Sequence, residues 1–178
     1  CAHEMFGLNY IIFRPHNVYG ERQNINDKYR NVIGIFINQM LNNKPLTIFG
    51  DGKQTRAFTY IKDISPVIAC SIENKNAYNN IFNIGSEEVV SVNDIAKIIA
   101  NEIGKNSYIK HLPDRKEVKY AFSSNKKIKK ILNYKSNTSI KDGIKIMIEW
   151  CKKQKKKRLK LFKNIEIQKN LPLIWKEK

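Results

Sequence analysis

The sequence has no long apolar run, no clustered cysteines and no Gly-x-Gly-x-x-Gly loop. Its apolar stretches fall well short of a membrane span, so it predicts no transmembrane segment. Cys1, Cys70 and Cys151 are far apart, and no Cys/His spacing suggests zinc. We therefore expect reduced, mostly buried thiols, no metal site and a cytoplasmic location. The first residue is Cys1 rather than Met, which is one reason to consider the chain a piece of a longer protein.

Negative charge is scarce, and the formal net charge is +17. Such an excess raises nucleic-acid binding as an alternative function. About half of it lies in residues 151–178, which carry 11 Lys or Arg and 2 Asp or Glu. No nucleic-acid-binding motif accompanies this charge run. We predict no nucleic-acid partner, and we interpret residues 159–178 as a basic C-terminal tail that does not contain the functional site.

The chain is predicted to be organised around residues 45–63, PLTIFGDGKQTRAFTYIKD. Residues 46–49 are apolar and β-prone, and residues 50–52, Gly-Asp-Gly, are a turn signal. Residues 56–61 then alternate between two faces, which is typical of a strand. This pattern predicts a β-hairpin, followed by a helix that Asp63 would cap.

The alternation in this predicted hairpin would place Arg56 beside Phe58 and Tyr60. A guanidinium fork matches the geometry of a phosphate, and aromatic rings offer flat faces for a base or a sugar. The alternative is a surface hairpin with a solvated arginine.

An apolar run, residues 8–13, predicts a buried parallel strand. Pro15 would end it, and ligands in open parallel sheets bind just beyond the carboxyl ends of the strands. Residues 14–20, RPHNVYG, are thus a candidate site by position, with an ordinary connecting loop as the alternative.

The remaining patterns predict helices and short strands that alternate along the chain. Apolar periodicity and capping residues predict helices over residues 2–6, 32–41, 64–72 with Pro66 in the first turn, 92–103 after Ser91, 125–132 after Ser124, and from Thr138 or Ser139 to Cys151. Strands are expected over residues 81–84, 108–112 and 118–122.

Several of these segments together resemble one family. The order and spacing of RPHNVYG at 14–20, residues 45–63, FNIGS at 82–86, RKEV at 115–118 and the helix at 143–150 carry the resemblance. They are similar to the C-terminal half of an extended short-chain dehydrogenase/reductase in the NAD-dependent sugar epimerase/dehydratase group, with UDP-glucose 4-epimerase as the nearest type. The resemblance covers about residues 1–155.

This resemblance implies an α/β fold that combines the C-terminal part of a Rossmann-type parallel sheet with a smaller α/β substrate-binding domain. Residues 1–14 and 62–85 would complete the NAD-binding domain. Residues 15–61 and 86–158 would form the nucleotide-sugar-binding domain. The family's glycine-rich loop and its Tyr-x-x-x-Lys catalytic pair are absent from the sequence, so no catalytic residue is assigned here.

The same resemblance implies a set of ligand-binding residues. Arg56 and Arg115 match diphosphate-binding arginines, and Glu117 approximately matches an acid that accepts hydrogen bonds from the ribose. Asn17 matches a substrate-binding asparagine; the other matched positions are Leu46, Ile48 and Phe49 along the uracil, and Pro15 and His16 close to the nicotinamide. Taken singly, Arg115 and Glu117 could form a plain surface ion pair, and Asn17 could close a turn.

Three positions depart from the family pattern. Ala57 stands where Asp is frequent, Gly34 where Pro is frequent, and residues 123–125 lack the usual opening Asp. None of them removes a phosphate ligand, but together they leave the identity of the sugar open.

The implied activity is that of a nucleotide-sugar epimerase with NAD as cofactor, a UDP-sugar as favoured ligand and a homodimer as the full-length assembly. The 178 residues alone are expected to be inactive. A nucleotide-sugar-binding module, a partner subunit of a separately encoded Rossmann half, and an NDP-sugar 4,6-dehydratase remain alternatives.

Overall fold

Parallel strand pairing joins segments that are far apart in the sequence. The computed structural model describes residues 1–27, 31–106 and 108–154. Strand β1 (Ile11–Pro15) pairs in parallel with β6 (Asn80–Ile84), with Ile11 opposite Asn80 and Pro15 opposite Ile84. Strand β2 (Val18–Tyr19) pairs in parallel with β5 (Thr59–Tyr60). The predicted α/β class with parallel strands is confirmed.

The hairpin predicted within residues 45–63 is wrong. Strand β3 (Leu46–Phe49) pairs in parallel with β8 (Ile109–Leu112). Strand β4 (Thr55–Ala57) lies between β7 (Val89–Ser91), which is antiparallel to it, and β9 (Tyr120–Ala121), which is parallel. The turn signal itself is real, since Gly50 and Gly52 have φ values of 66° and 73°. However, a turn followed by a β-prone segment does not specify which partner each strand will take.

The predicted helices form with small changes in their bounds. They are α1 (Ala2–Phe6), α2 (Val32–Leu41), α3 (Ile61–Cys70), α4 (Val92–Ile103), α5 (Lys126–Leu132) and α6 (Ile140–Lys152), with short 3₁₀ turns at Ser71–Glu73 and Lys75–Ala77. Local caps explain several ends. Ser91 and Asp94 form a capping box at α4, and the Ser139 side chain accepts a hydrogen bond from Asp142 N at the start of α6.

Helix α3 begins earlier than predicted, at Ile61, with Tyr60 as its N-cap residue. Asp63 is therefore inside the first turn and is not the cap. Its carboxylate instead accepts hydrogen bonds from Thr138 N, Thr138 Oγ1 and Ser136 Oγ, at 3.1, 2.8 and 3.3 Å. Pro66 consequently lies beyond the first turn. The long-range bonds of Asp63 tie α3 to the segment that precedes α6.

Two hydrophobic clusters form the core. The larger one packs α2, α4 and α6 against β3 and includes Phe36, Ile95 and Met147. The smaller one packs α3 and α5 against β6 and is centred on Phe82 and Ile128. The structure therefore has one centre of packing for the three-helix part and another for the β1–β6 part.

Strand β1 is less buried than its apolar sequence predicted. Ile12 is 44% exposed, and no residue of α1 is buried. One face of the β1–β6 pair has no covering element among the described residues. The prediction of mostly buried thiols is likewise wrong, because Cys1 and Cys70 are exposed and Cys151 alone is buried.

In the part of the chain that the structure describes, no helix is long and apolar enough to cross a membrane. Within the same residues, no group of three or more His, Cys, Asp or Glu side chains could hold a metal ion. The basic tail assigned to residues 159–178 lies outside the described residues.

Candidate functional site

Arg56 and Arg115 both contact the carboxylate of Glu117. Glu117 Oε2 lies 2.9 Å from Arg115 Nη2 and 3.7 Å from Arg56 Nη2, and Arg115 Nε donates to the same oxygen at 3.3 Å. The Arg56 side chain is 16% exposed and that of Arg115 is 38% exposed. The structure thus brings together the two arginines and the acid that the sequence singled out. We call these three residues the arginine cluster.

Strand pairing places Arg56 in this cluster. Arg56 lies opposite Ala121 in the parallel pairing of β4 with β9. Its Nη1 donates to the carbonyl oxygens of Thr55 at 2.8 Å and Lys119 at 3.2 Å. Because these acceptors belong to the backbone, they fix the guanidinium relative to the sheet. The same pairing brings the segment between β8 and β9, which contains Arg115 and Glu117, next to β4.

Gln54 and Phe49 complete the surroundings of the cluster. Gln54 Nε2 donates to Glu117 Oε1 at 2.9 Å and to Phe49 O at 3.2 Å. The Arg115 guanidinium carbon lies 4.4 Å from the centroid of the Phe49 ring, a cation–π contact. Both oxygens of Glu117 are therefore engaged, and Arg115 is held between an aromatic face and a carboxylate.

The cluster has a positive charge balance and is accessible to solvent. Two guanidinium groups face one carboxylate, so the three residues together carry one net positive charge. A guanidinium presents its N–H donors in a planar fork that matches carboxylate or phosphate oxygens. The arrangement is suited to an anion that binds at the exposed side of Arg115.

A second group of predicted residues lies at the carboxyl end of β1. Pro15 is the last residue of that strand, and His16 N continues the ladder by donating to Ile84 O at 3.1 Å. The His16 Nε2 atom is hydrogen-bonded to Ser123 Oγ. This is the edge at which parallel α/β sheets bind their ligands.

Asn17 joins this strand end to the arginine cluster. Its φ of 37° places it in the left-handed region, which agrees with a role in a turn. Its Nδ2 atom donates to the carbonyl of Ala57 at 3.0 Å, directly after Arg56 in the chain. The end of β1 and the arginine-bearing β4 are therefore adjacent.

The three residues predicted to line a uracil differ in accessibility. Leu46 is 0% exposed and Ile48 is 1% exposed, and both belong to the larger core cluster. Phe49 is partly exposed, and its ring is in contact with the Arg115 guanidinium. Any contact of this segment with a base would therefore involve Phe49 or the backbone.

The two aromatics predicted beside Arg56 lie in the core instead. Phe58 and Tyr60 are 5% and 4% exposed. Tyr60 Oη donates to Glu21 Oε2 at 2.7 Å, and Lys62 Nζ lies 2.7 Å from Glu21 Oε1. Partial burial opposes ionisation of Glu21, but the hydrogen bonds from Lys62 and Tyr60 hold the pKa of its carboxyl below the usual value.

Sequence reasoning missed several residues that build these two groups. Gln54 is two positions before Arg56, and its polar side chain within a β-prone segment was the available signal. The Ser123 contact with His16 had no signal, because it joins residues 107 positions apart. Gly85 was predicted only as part of the FNIGS motif at 82–86; a Cβ there would lie 3.1 Å from both His16 Cβ and Thr59 Oγ1.

The residues present fit NAD only in part. Pro15 is exposed and His16 half-buried at the carboxyl end of a parallel strand, which suits contact with one end of a dinucleotide. The glycine-rich loop that would bind its diphosphate is absent from the sequence.

Comparison with known proteins agrees with this fold. Residues 1–85 match the model of the NAD dependent epimerase/dehydratase family. A UDP-glucuronate 4-epimerase of Thermodesulfobacterium geofontis is 33% identical over 167 residues, which are 93% of this chain and 49% of that protein. The chain spans about half the length of the curated relatives it matches.

Two solved structures have the same fold. The UDP-glucose 4-epimerase of Thermotoga maritima with UDP-glucose superposes with a TM-score of 0.79 at 30% identity, over 85% of this chain and 48% of that one. The UDP-glucuronic acid 4-epimerase of Bacillus cereus, in complex with UDP-glucuronic acid and NAD, gives a TM-score of 0.77 at 34% identity, over 84% and 47%.

The fold and the two groups of residues thus define a Rossmann-type α/β protein related to enzymes that modify nucleotide sugars. More narrowly, residues 1–85 match the NAD dependent epimerase/dehydratase family, and the chain resembles about half of a UDP-sugar epimerase. The resemblance seen in the sequence is confirmed at this level.

Proposed function

We propose that this chain forms the nucleotide-sugar-binding half of an NAD-dependent epimerase that acts on a UDP-sugar at C4. The observation that carries the proposal is the contact of Arg56 and Arg115 with one carboxylate, which leaves a net positive, accessible cluster beside the carboxyl end of β1. A nucleotide diphosphate supplies the anion that such a pair of forks would hold.

Five of the predicted residues have a role in this arrangement. Arg56 and Arg115 bind the diphosphate, and Glu117 accepts hydrogen bonds from the ribose hydroxyls once the anion engages the arginines. Phe49 contacts the base. Asn17 keeps the diphosphate-binding strand adjacent to the end of β1.

The reacting sugar would lie at that strand end, next to Pro15 and His16. NAD takes a hydride from the sugar and returns it to the opposite face in enzymes of this kind. The residues of this chain hold the nucleotide firmly while the sugar turns. The proton-transferring Tyr and Lys of the family are not among its 178 residues.

The domain division, the cellular location and the oligomeric state belong to the same proposal. The smaller core cluster around Phe82 supports assigning residues 1–14 and 62–85 to the NAD-binding domain, and the larger cluster supports a separate substrate-binding domain. Helix α5 packs in the smaller cluster, so the two parts share that boundary. The cytoplasmic location and a homodimer of the full-length protein remain predictions.

A second candidate is a nucleotide-sugar-binding module that works with a separately supplied NAD-binding half. It is supported by the exposed apolar side chains of α1, of β1 and of the segment between them, namely Met5 at 70%, Phe6 at 78%, Leu8 at 61% and Ile12 at 44%. This module would use the same arginine cluster without carrying out the reaction alone.

Isothermal titration calorimetry of the 178-residue chain with UDP, and with uridine as a control lacking the diphosphate, tests the proposed function. We expect UDP to bind clearly more tightly than uridine. Equal affinity for the two, or no binding of UDP, would contradict a diphosphate site. A thermal-shift panel of UDP-, GDP- and dTDP-sugars then distinguishes the base.

A further inference from the structure

Three segments that are far apart in the sequence meet at the carboxyl end of β1. We call them the strand-end group, and they are residues 14–17, 84–86 and 123–125. His16 N donates to Ile84 O at 3.1 Å, and His16 Nε2 is hydrogen-bonded to Ser123 Oγ. Asn125 Nδ2 donates to Gly85 O at 2.7 Å. Because these bonds join all three segments, the group forms one continuous site.

The strand-end group contains no acidic side chain. The two acids that follow Ser86 in the chain are engaged elsewhere. Glu87 pairs with Lys129 at 2.7 Å, and Glu88 Oε2 accepts from Ile140 N at 3.0 Å. The carboxylate of the neighbouring arginine cluster is held by its two guanidinium groups. An anion bound in the strand-end group would therefore meet no carboxylate within it.

Arg14 and His16 supply N–H donors at this strand end. Arg14 lies opposite Asn83 in the parallel ladder, and the bond from His16 N to Ile84 O continues that ladder. Strand residues two positions apart share a face, so Arg14 and His16 belong to the same face of the β1–β6 pair. The Arg14 side chain is exposed and forms no ion pair within the described residues. This face thus has a positive charge next to an imidazole.

Ser123 and Gly85 position the ring of His16. The residue is half-buried, and a Cβ at Gly85 would lie 3.2 Å from His16 Cδ2, so a side chain there would crowd the ring. The Ser123 hydroxyl engages Nε2, whereas Nδ1 has no hydrogen-bond partner in the part of the chain that the structure describes. A hydroxyl that donates to one imidazole nitrogen leaves the other nitrogen protonated. His16 can therefore present an N–H donor to a ligand.

The substituent at C6 of the bound sugar is the feature that these donors can distinguish. In a hexose this substituent is a neutral hydroxymethyl group, and in a uronic acid it is a carboxylate. An ionised carboxylate accepts hydrogen bonds but donates none, and its bonds to N–H donors are the stronger, charge-assisted kind. A site that has an imidazole and a guanidinium but no acid suits the carboxylate better than the hydroxymethyl group.

We propose that the strand-end group selects a UDP-uronate, with His16 donating a hydrogen bond to the C6 carboxylate. Ser123 is a positioning residue for the imidazole, and Arg14 contributes positive charge. This inference rests on the proposed function, because the arginine cluster must hold the nucleotide for the sugar to reach the strand end. A UDP-hexose is the competing substrate.

Calorimetry of the 178-residue chain with UDP-glucuronate and UDP-glucose tests the selection. The methyl ester of UDP-glucuronate is the matched ligand control, since it keeps the carbonyl group and loses the charge. We expect UDP-glucuronate to bind about tenfold more tightly than either neutral ligand, as one charge-assisted hydrogen bond predicts. Equal affinity for the three ligands, or tighter binding of UDP-glucose, would overturn the proposal.

Variants assign the selection to this group. His16→Phe keeps a ring and removes both nitrogens, so it should weaken UDP-glucuronate binding about tenfold and change UDP-glucose binding by less than about twofold. Ser123→Ala should weaken UDP-glucuronate binding by about threefold and leave its methyl ester unchanged. His3→Phe removes an exposed imidazole of α1 and should alter neither affinity. Each variant is first checked for an unchanged thermal transition.

Two further results decide the outcome. A preference for UDP-glucuronate that survives both His16→Phe and Ser123→Ala would overturn the assignment to the strand-end group. Titration of UDP itself separates the two levels of the argument. Binding of UDP without discrimination between the sugars overturns this inference alone, whereas no binding of UDP overturns the proposed function and this inference together.

Discussion

Glu117 Oε2 lies 2.9 Å from Arg115 Nη2, so a carboxylate already accepts from a guanidinium that is proposed to bind the diphosphate. Arg56 Nη2 approaches the same oxygen at 3.7 Å. We therefore expect the carboxylate to stabilise the arginine cluster without ligand and to compete with a diphosphate for part of its N–H donors.

This competition predicts the effect of Glu117→Gln. Removing the negative charge should tighten the binding of inorganic pyrophosphate, which has no ribose, by about three- to tenfold, because partly exposed ion pairs contribute about 1 kcal/mol. UDP should gain less, since it also loses a charged acceptor for its ribose hydroxyls. Calorimetry with both ligands measures the difference.

The matched control for this substitution is Glu102→Gln, which removes a carboxylate of α4 that pairs with Lys141 Nζ at 4.0 Å and is not part of the arginine cluster. It should change neither affinity. Weaker pyrophosphate binding in Glu117→Gln would show that the carboxylate supports the anion site rather than competing with it.

Arg56 and Arg115 are expected to contribute comparably to diphosphate binding. Hydrogen bonds to charged groups contribute roughly 1.5–3 kcal/mol, so Arg56→Ala or Arg115→Ala should weaken UDP binding by about ten- to a hundredfold. Substitution by Lys should recover only part of this loss, because an ammonium cannot reproduce the planar fork.

Titration of UDP into the two single variants, the double variant and Lys97→Ala measures these contributions. Lys97 is an exposed cation of α4 and serves as the control for a general loss of charge. Wild-type affinity in both single arginine variants would end the diphosphate interpretation.

Local signals explain the parts of the fold that the sequence predicted well. Helix α2 has the predicted bounds, α4 begins at the predicted cap Ser91, and α6 begins at Ser139, one of its two predicted caps. Capping and apolar periodicity act within a few residues of the chain, so the sequence specifies them directly.

The failures involve partners that are distant in the chain. The prediction of strands on both sides of the Gly-Asp-Gly turn was correct. However, β3 and β4 pair with later strands rather than with each other. Asp63 was expected at a helix cap, and it instead accepts hydrogen bonds from Thr138. The convergence of Arg56 with Arg115 was expected through family resemblance alone.

Gly143 is predicted to be intolerant of a side chain. It is buried in α6, and a Cβ at this position would overlap Tyr19 Oη. Alanine in a helix is favoured over glycine by roughly 1 kcal/mol, but overpacking a tight core typically costs about 1–3 kcal/mol. Gly143→Ala should therefore lower the free energy of unfolding by between zero and about 2 kcal/mol, measured by urea unfolding. It should not raise the free energy of unfolding, as helix propensity alone would predict.

Tyr19→Phe tests whether the contact with the Tyr19 hydroxyl causes this loss of stability. In the Tyr19→Phe background, which lacks the hydroxyl that the new methyl group would meet, Gly143→Ala should be clearly less harmful. Equal effects of Gly143→Ala in both backgrounds would rule out the clash with Tyr19 Oη as the cause.

Tyr60→Phe should lower stability in a pH-dependent way. It removes the hydrogen bond from Tyr60 Oη to the ionised Glu21, a charge-assisted bond of roughly 1.5–3 kcal/mol. The pKa of Glu21 is lowered in the folded state, so its stabilising contribution is present above the unfolded value of about 4.5 and is lost as the pH falls through the folded value. The cost of Tyr60→Phe should therefore be largest near neutral pH and shrink below about pH 4.5.

Urea unfolding of wild type and Tyr60→Phe across this range measures the cost. Tyr78→Phe, which removes an exposed hydroxyl bonded to the neutral carbonyl of Ile72, is the control and should show a cost independent of pH. A pH-independent cost for Tyr60→Phe would contradict the assignment of the charged acceptor.

The 178-residue chain is predicted to bind a UDP-sugar without epimerising it. Its sequence has no glycine-rich loop for the NAD diphosphate and no Tyr-x-x-x-Lys pair for proton transfer, so neither the hydride acceptor nor the proton acceptor has its usual partner. Incubation with UDP-glucose or UDP-glucuronate and NAD, followed by chromatography of the sugars, should return the starting compound alone. A binding titration on the same preparation shows that the arginine cluster is intact. Formation of the C4 epimer by this chain would show that its own residues, with His16 and Ser123 as the first to examine, carry the proton transfer.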